Sequence, residues 1–519
     1  MGELLLISKE IHELAFFADK AYEEKDEDTL KEIALTGLEL SQRDKYKPLE
    51  KAILSYHGAT AGSDYIELKH NRAKTYEENE KDVELCLLLF RNCIRYFNEF
   101  EKDFIESCSE EELLYFTQYQ NRAITNFSIL LNRIGRFIKS IHSIENLVDK
   151  SFSMAIGNYA TTLISYGLYD YDEGHTDYFH HYAYKKLKSL TKEPENEQAF
   201  YFWQNIIEDI EKRYDKSFLL EDYDFGKIDL GDDLEESYRK WCLERKLFLN
   251  TMNDVTLHLV AAYDILHLPD IVAGINEGPK YHGLFNQIKQ EYVSARYMLF
   301  EGINQNEPHF SDKEVHLVNT LDYPVYGLRI EKIKFAYRSL YSIFDRIAFL
   351  INEYFELGIK EHDVSYKSIW RNKQGRGKKS YETRIHLKAN MINPQTYNQP
   401  LIGLYWLCKD ISKQKIEHHY LDPNIEMLAT IRNHLEHKYL KIHDSWLFPL
   451  ASDRKEKYDP IAFSISYEEF VDAAMILISY VREAIILTSL AIHQEEVRKR
   501  NDAKILPMFL DSYRDEWKY

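Results

Sequence analysis

Arg432, Asn433 and His437 are the residues of this chain whose types and spacing are best suited to chemistry. An arginine stays charged at every physiological pH and can grip two non-bridging oxygens of a phosphate. A histidine titrates near neutrality, so it can take or give a proton. This pair fits metal-free cleavage of RNA, in which the 2′-oxygen attacks the phosphate and leaves a 2′,3′-cyclic phosphate and a 5′-hydroxyl. Asn433 would orient the phosphate or a ribose hydroxyl.

The segment that carries these residues is predicted to be an amphipathic helix over residues 422–440. Asp422 can cap its N-terminus, and Pro423 suits the first helical position. Arg432 lies at the edge of the apolar stripe, and His437 lies on the far side, about 140° further around the helix. The two side chains converge on one substrate only if the arginine curls round or a second copy contributes, so we expect a homodimer. The apolar stripe consists of Ile425, Leu428, Ile431, Leu435 and Tyr439.

The run from Arg432 to His437 is an R-x4-H pattern with a polar residue directly after the arginine. In this it resembles the motif of HEPN domains. Residues 285–292 (FNQIKQEY) and 342–347 (SIFDRI) are similar to a HEPN subfamily that carries N-terminal helical repeats. The resemblance covers residues 235–500 of the chain.

The resemblance implies a dimeric, metal-independent endoribonuclease. Such an enzyme serves in defence against phage or cleaves RNA in the manner of a toxin. The resemblance assigns catalysis to Arg432, Asn433 and His437 and implies no cofactor. The expected partners are therefore an RNA substrate and a second copy of the chain.

Four further residues are candidates for supporting roles. His434 could assist the reaction, and Tyr439 could contact substrate, with core packing as the alternative for the tyrosine. Glu291 and Asp345 sit in the middle of predicted helices among apolar residues. Each could face Arg432 as a charge partner or make an ordinary salt bridge.

Two plainer interpretations of the motif segment stay open. The first is an exposed polar helix face with ordinary surface histidines. The second is a metal site, because the spacing of His434 and His437 is compatible with ligation, and Glu436 and His443 could join them. No further ligand set with a recognised spacing is present, so we expect no metal. The paired histidines elsewhere are expected at the surface: His180-His181 and His418-His419.

A basic segment lies between residues 367 and 388, where eight Lys or Arg face one acid, a net charge of +7 in a chain of −19. Two glycines predict a flexible loop over residues 371–380. Trp370 and Tyr381 flank this loop and could stack on bases. The segment predicts a grip on the RNA backbone, with a solvated loop as the alternative. The residues proposed to bind RNA are Arg371, Lys373, Arg376, Lys378 and Lys379.

Long helices must position these residues, and apolar spacing predicts them throughout the C-terminal half. Ser466 and Glu469 form a capping-box sequence at the start of the last one. Together the helices predict an up-and-down bundle over residues 281–500, which the resemblance implies to be HEPN-like, followed by a tail at 501–519. A small hairpin is expected within residues 446–464. The predicted helices cover residues 285–301, 330–357, 401–416, 422–440 and 466–500.

The N-terminal half also reads as consecutive helices, with a weak repeat. Asn126 and Gly135 are nine positions apart, as are Asn158 and Gly167, and the two asparagines are 32 apart. A period near 34 is typical of stacked helix hairpins of the tetratricopeptide type, although an irregular helical bundle also fits. We predict such an array over residues 1–230, with a protein or peptide as its partner.

An acidic, glycine-bearing run at residues 220–235 breaks this pattern. Residues 231–280 are therefore predicted to hold a linker and connecting helices, including one helix at 234–250. Only 19 Gly and 12 Pro occur in 519 residues, which favours long helices. The fold class predicted from the sequence is all-α.

The net charge of −19 repels nucleic acid and anionic membranes on average, so a DNA-coating protein is excluded but a local RNA site is not. Five cysteines without a C-x-x-C pair fit a reducing cytoplasm, and Cys86 and Cys93 are expected in the core. The N-terminus lacks a basic region, and residues 470–492 are apolar but interrupted by charges. We therefore expect a buried core helix there, and a cytoplasmic protein that does not engage membranes.

Two functional hypotheses follow. The first is an endoribonuclease that acts in defence or stress response and is regulated by the repeat array. The second is a non-catalytic helical-repeat scaffold or sensor that binds a protein or peptide. The nuclease requires Arg432 and His437 to approach each other across a cleft open to the basic loop, whereas the scaffold allows them to point apart.

Overall fold

Sixteen α-helices dominate the part of the chain that the computed structural model describes, so the fold is all-α as predicted. The described residues are 8–69, 80–193, 196–274, 277–305, 307–373, 381–383, 397–412, 422–444, 459, 461–502 and 510–518. The helices are α1 (Lys9–Glu24), α2 (Glu27–Ser41), α3 (Pro48–Lys69), α4 (Glu80–Phe104), α5 (Glu110–Arg133), α6 (Phe137–Asp149), α7 (Ser153–Gly167), α8 (Glu173–Lys188), α9 (Glu197–Arg213), α10 (Lys216–Leu220), α11 (Asp233–Glu244), α12 (Lys280–Asn304), α13 (Leu328–Tyr354), α14 (Gln399–Ile411), α15 (Pro423–His437) and α16 (Tyr467–Asp502).

The described strands form two small sheets. An antiparallel pair joins β1 (Arg371–Lys373) to β2 (Tyr381–Thr383), and a parallel pair joins β3 (Tyr439–His443) to β4 (Ala462–Ser466). The hairpin predicted within residues 446–464 stays a prediction. Residues 445–458 and 460 lie outside the described part of the chain.

Helices α1 to α9 form a stack of helical hairpins, which we call the array, with the short α10 packed against α8 at its end. Each helix packs against the one before it, and the alternate helices α3, α5, α7 and α9 also contact one another in series. Asn126 lies on α5 and Asn158 on α7, the equivalent helices of successive hairpins. A Cβ on Gly157 would lie 1.9 Å from the Trp203 ring, so glycine is what lets α9 lie this close to α7. The hairpins agree with the predicted repeat, while the tetratricopeptide type stays a prediction.

Helices α12 to α16 form the bundle, in which α12 and α13 pack side by side and α16 packs against both and against α14. The capping box predicted for α16 is present: Ser466 Oγ accepts from the Glu469 N–H at 3.2 Å, and Glu469 Oε2 accepts from the Ser466 N–H at 3.0 Å. Its Tyr467–Arg500 stretch is long and apolar enough to cross a membrane, but 83% of its most apolar window is buried inside the protein. It is the core helix that the sequence predicted.

Several helices end earlier than predicted, and the structure gives the reason for two of them. Helix α15 stops at His437, because Tyr439 and Leu440 continue as β3 and take backbone partners from β4. Helix α11 stops at Glu244, because Lys246 adopts a left-handed conformation (φ 54°) and the Leu247 N–H closes onto the Cys242 carbonyl at 2.9 Å.

The array and the bundle meet through close backbone contact. Gly135, in the turn after α5, has a φ of +76°, and a Cβ there would lie 2.2 Å from the Gln399 carbonyl oxygen on α14. Residues 247–256 are buried between the two halves. Within them, Asp254 accepts from Arg482 on α16 (2.5 Å) and from Tyr166 on α7 (2.9 Å). Part of the predicted linker is therefore interior structure that joins both halves.

Candidate functional site

Helix α15 presents the motif by burying its apolar stripe. Ile425, Leu428, Ile431 and Leu435 are all buried, as the sequence predicted, whereas Tyr439 lies beyond the helix. Two side chains of α13 donate hydrogen bonds to backbone carbonyls of α15. Tyr337 donates its hydroxyl to the Leu428 carbonyl (2.9 Å), and Arg338 donates Nη2 to the Leu435 carbonyl (2.5 Å).

Arg432 is half-buried and lies against an aromatic ring. Its guanidinium carbon is 5.5 Å from the centroid of Tyr341 on α13, and Nη1 lies 3.5 Å from Asn433 Oδ1. A cation–π contact uses no N–H donor. The guanidinium is therefore held in place while most of its donors stay available for an anion.

His437 is the last residue of α15, and its side chain is exposed. Within the described residues it has neither a hydrogen bond nor an ion pair. His434 differs, because its Nδ1 lies 2.8 Å from the Thr430 carbonyl and its ring centroid lies 5.0 Å from that of Phe463. Nδ1 of His434 is therefore engaged, whereas neither ring nitrogen of His437 has a partner in the described residues.

Tyr439 follows the motif on β3 and faces a second tyrosine. Its hydroxyl lies 3.5 Å from the Tyr326 hydroxyl, and Tyr326 is exposed. Partial desolvation of its hydroxyl and this hydrogen bond raise the pKa of Tyr326 to about 12. The sequence reasoning missed Tyr326, Tyr341 and Arg338. The last two are three positions apart on one face of α13, but nothing local to them indicates that α15 crosses that face.

The two acidic candidates are engaged by partners other than Arg432 and His437. Glu291 Oε2 lies 2.5 Å from Arg346 Nε, in an ion pair between α12 and α13. Asp345 Oδ1 accepts the Tyr366 backbone N–H at 3.1 Å. Both follow the ordinary alternative that the sequence left open, and a role for either in the reaction stays a prediction.

The described end of the basic segment is tied into the protein. Arg371 donates to Glu80 on α4 and to the Tyr405 hydroxyl (3.2 Å). Trp370 is 1% exposed and packs against Tyr405, so the prediction that it stacks on bases is wrong. Lys373 lies on β1, where the backbone pairs with β2. Arg376, Lys378 and Lys379 lie outside the described residues, so RNA binding by this segment stays a prediction.

Among the described residues, no group of three or more His, Cys, Asp or Glu is placed to hold a metal ion. His443 is buried on β3, and burial lowers its pKa. The surface prediction for His180 and His181 is wrong: both are buried, against the Tyr214 hydroxyl and the Glu221 carbonyl, each at 2.8 Å. His418 and His419 lie outside the described residues.

Comparison with known families gives one match, to the model described as LA2681-like HEPN, over residues 272–495. This supports a HEPN domain there. The matched segment is less than half of the chain and contains helices α12 to α15, most of α16 and the whole R-x4-H motif. Comparison with curated proteins and with solved structures gives no match.

Proposed function

We propose that this protein is a metal-independent endoribonuclease that acts in defence or stress response as a homodimer. One observation carries the proposal. His437 is exposed and has no partner in the described residues, and about 1.4 helix turns before it Arg432 lies against the Tyr341 ring. HEPN domains are often ribonucleases, and the match over residues 272–495 includes both side chains.

The reaction assigns a separate task to each residue. His437 takes the proton from the 2′-hydroxyl, whose oxygen attacks the adjacent phosphorus. Arg432 neutralises the charge that builds on the non-bridging oxygens. The bond from phosphorus to the 5′-oxygen breaks, that oxygen takes a proton from water, and protonated His437 returns its proton to the solvent. The products are a 2′,3′-cyclic phosphate and a 5′-hydroxyl, and no metal takes part.

The surface around the motif also supports a second copy. Several large apolar or aromatic side chains are exposed on the elements that surround the C-terminal end of α15. These elements are α13, the segment that precedes α13, and the residue before β4. Clusters of this kind mark interaction surfaces. A partner docked there would bring its own motif close to this one, which removes the difficulty that Arg432 and His437 lie about 140° apart on one helix. The exposed residues are Tyr323, Tyr326, Phe335 and Ile461.

The test is cleavage of total cellular RNA in the presence of EDTA, with mapping of the new ends. Wild type is expected to leave cyclic phosphates, and Arg432→Ala and His437→Ala are each expected to lose at least about 100-fold in rate. Arg43→Ala and His362→Ala are matched controls, because both residues are exposed on the surface far from the motif in sequence. Equal cleavage by all five proteins would mean that another site or a contaminant is responsible.

A non-catalytic scaffold or sensor is the second candidate, favoured by one observation. The Arg432 guanidinium lies against Tyr341 of its own chain, as it would if it served only to fix α15. Absence of cleavage by every protein, even after addition of extract from infected or stressed cells, would support this candidate. A protein or peptide bound to the array would then be the primary ligand.

A further inference from the structure

Six buried side chains meet where the array touches the bundle, and we call them the junction cluster. Arg91 of α4 donates to both oxygens of Asp410 on α14, at 2.8 and 2.9 Å. Arg136, directly before α6, donates to Asp410 as well and to both oxygens of Glu483 on α16, at 2.6 and 2.8 Å. The cluster consists of Arg91, Arg136, Asp410, Asp422, Tyr480 and Glu483.

Directional bonds are the distinctive property of this cluster. Arg136 and Asp410 are fully buried, and Arg91 and Glu483 are nearly so. Burial disfavours a charged Arg136, but Glu483 and Asp410 outweigh it and raise the pKa of that guanidinium above its ordinary value. An apolar contact of the same size would hold the halves together without a desolvation cost. Paired, bidentate bonds additionally fix how the array is oriented on the bundle.

The cluster reaches the first turn of the motif helix. Asp422 directly precedes Pro423, the first residue of α15, and its Oδ2 accepts the Tyr480 hydroxyl at 2.7 Å. Arg91 Nε lies 4.0 Å from the same oxygen. The Arg136 guanidinium carbon lies 5.4 Å from the centroid of the Tyr480 ring. Arg91 therefore lies directly beside the residue that precedes α15, and Arg136 reaches that residue through the Tyr480 ring.

A small change at this end of α15 is amplified at the other end. The helix has 15 residues, so His437 lies about 21 Å from Pro423 along the axis. A tilt of about 5° at the N-terminus would move His437 by roughly 2 Å. Displacements of about 1 Å in a catalytic group can cost about 100-fold in rate.

We propose that Arg91 and Arg136 of the array are positioning residues for the R-x4-H site, acting through Asp422 on the orientation of α15. This rests on the proposed ribonuclease function. It gives the array a physical means of regulation, because a protein or peptide that shifts α4 or the turn before α6 shifts the helix that carries Arg432 and His437.

The first test is a double-mutant cycle in RNA cleavage. Arg91→Met and Asp422→Asn are each expected to lower kcat by at least about tenfold with little change in KM, because the RNA-binding surface is intact. The kcat of the double variant is expected to equal that of the less active single variant, since both changes interrupt one route. Arg296→Met is the matched control: it removes another buried arginine from its ion pair, with Asp264, and that pair does not contact Asp422.

The second test does not depend on activity. Amide hydrogen exchange in residues 423–437 is expected to speed up in Arg91→Met and not in Arg296→Met, measured well below the unfolding temperature of each protein. If Arg91→Met does not fold, Arg91→Lys replaces it, since a lysine keeps the charge and loses the bidentate bond.

The outcomes separate the two proposals. A wild type that cleaves no RNA, together with faster exchange of α15 in Arg91→Met, would overturn the ribonuclease and support the coupling. An active wild type whose Arg91→Met and Arg296→Met variants match in kcat and in exchange of α15 would overturn the coupling alone. Additive losses in the double variant would overturn the route through Asp422.

Discussion

His434 and His437 show how different two histidines on one helix can be. The first is held by the Thr430 carbonyl and the Phe463 ring, and the second is exposed at the end of α15. The same contrast separates two arginines, because Arg432 lies on an aromatic ring and Arg371 is engaged by Glu80 and Tyr405. Residue type and spacing identified all four as candidates, but only the surroundings in space distinguish a free group from an engaged one.

At this scale the Tyr341 ring is expected to support catalysis. Tyr341→Leu removes the aromatic face under Arg432, and at about 0.5–1 kcal/mol for a partly exposed cation–π contact the loss in kcat/KM should be about two- to fivefold. Tyr341→Phe keeps the ring and should stay within about twofold of wild type. The measurement is steady-state cleavage of one short RNA. Equal losses in both variants would point to the hydroxyl instead of the ring.

At the scale of elements, periodicity and caps were reliable guides. They predicted the bundle helices to within a few residues at most ends, and also the Ser466 capping box. They failed where a distant segment decides the outcome. Helix α15 ends at His437 because β4 pairs with the next residues, and His180 is buried with its ring against Tyr214. The junction cluster was invisible for the same reason: Arg91 and Asp410 are 319 positions apart.

The turn between α5 and α6 gives an element-scale prediction. Gly135→Ala combines a left-handed φ of +76° with a Cβ 2.2 Å from the Gln399 carbonyl oxygen, so it should lower the free energy of unfolding by about 2–4 kcal/mol. Gly226→Ala is the matched control, with a φ of +68° and no atom within 4 Å of the added Cβ, and should cost only about 1 kcal/mol. Urea unfolding measures both. Equal costs would mean that α14 moves aside freely.

Helix α8 gives a second element-scale prediction, in acid. Burial lowers the pKa of His180 to about 4, below its ordinary value of 6.5. Between these two pH values the unfolded state binds a proton at this histidine and the folded state does not. Stability should therefore fall as pH drops from about 6.5 towards 4, by up to about 1.4 kcal/mol per pH unit for this one group. His180→Gln should remove the share of that slope due to His180, while His57, whose pKa burial also lowers to about 4, keeps its own share, and His362→Gln, on the surface, should leave the slope unchanged. Unfolding midpoints measured across this range decide the matter.

At the scale of the whole molecule, the two halves share an interior. Residues 247–256 are buried between them, and Asp254 is bonded to Arg482 on one side and Tyr166 on the other. Together with the junction cluster, these contacts join the array to the bundle through buried hydrogen bonds and ion pairs. A second copy would contribute residues to the site itself, because Arg432 and His437 of one chain face different directions.

Mixing two inactive variants tests whether two copies share one site. In a dimer of Arg432→Ala with His437→Ala, one composite site has both residues mutated, and the other combines an intact Arg432 with an intact His437. Random mixing makes about half of the dimers mixed, each with one of two sites intact, so about a quarter of wild-type activity should return. If each site lay within one chain, every site would lack one residue and none would return. Differently tagged chains, co-purified so that every dimer is mixed, should show about half of wild-type activity, and they ensure that a lack of activity reflects the site and not a lack of exchange.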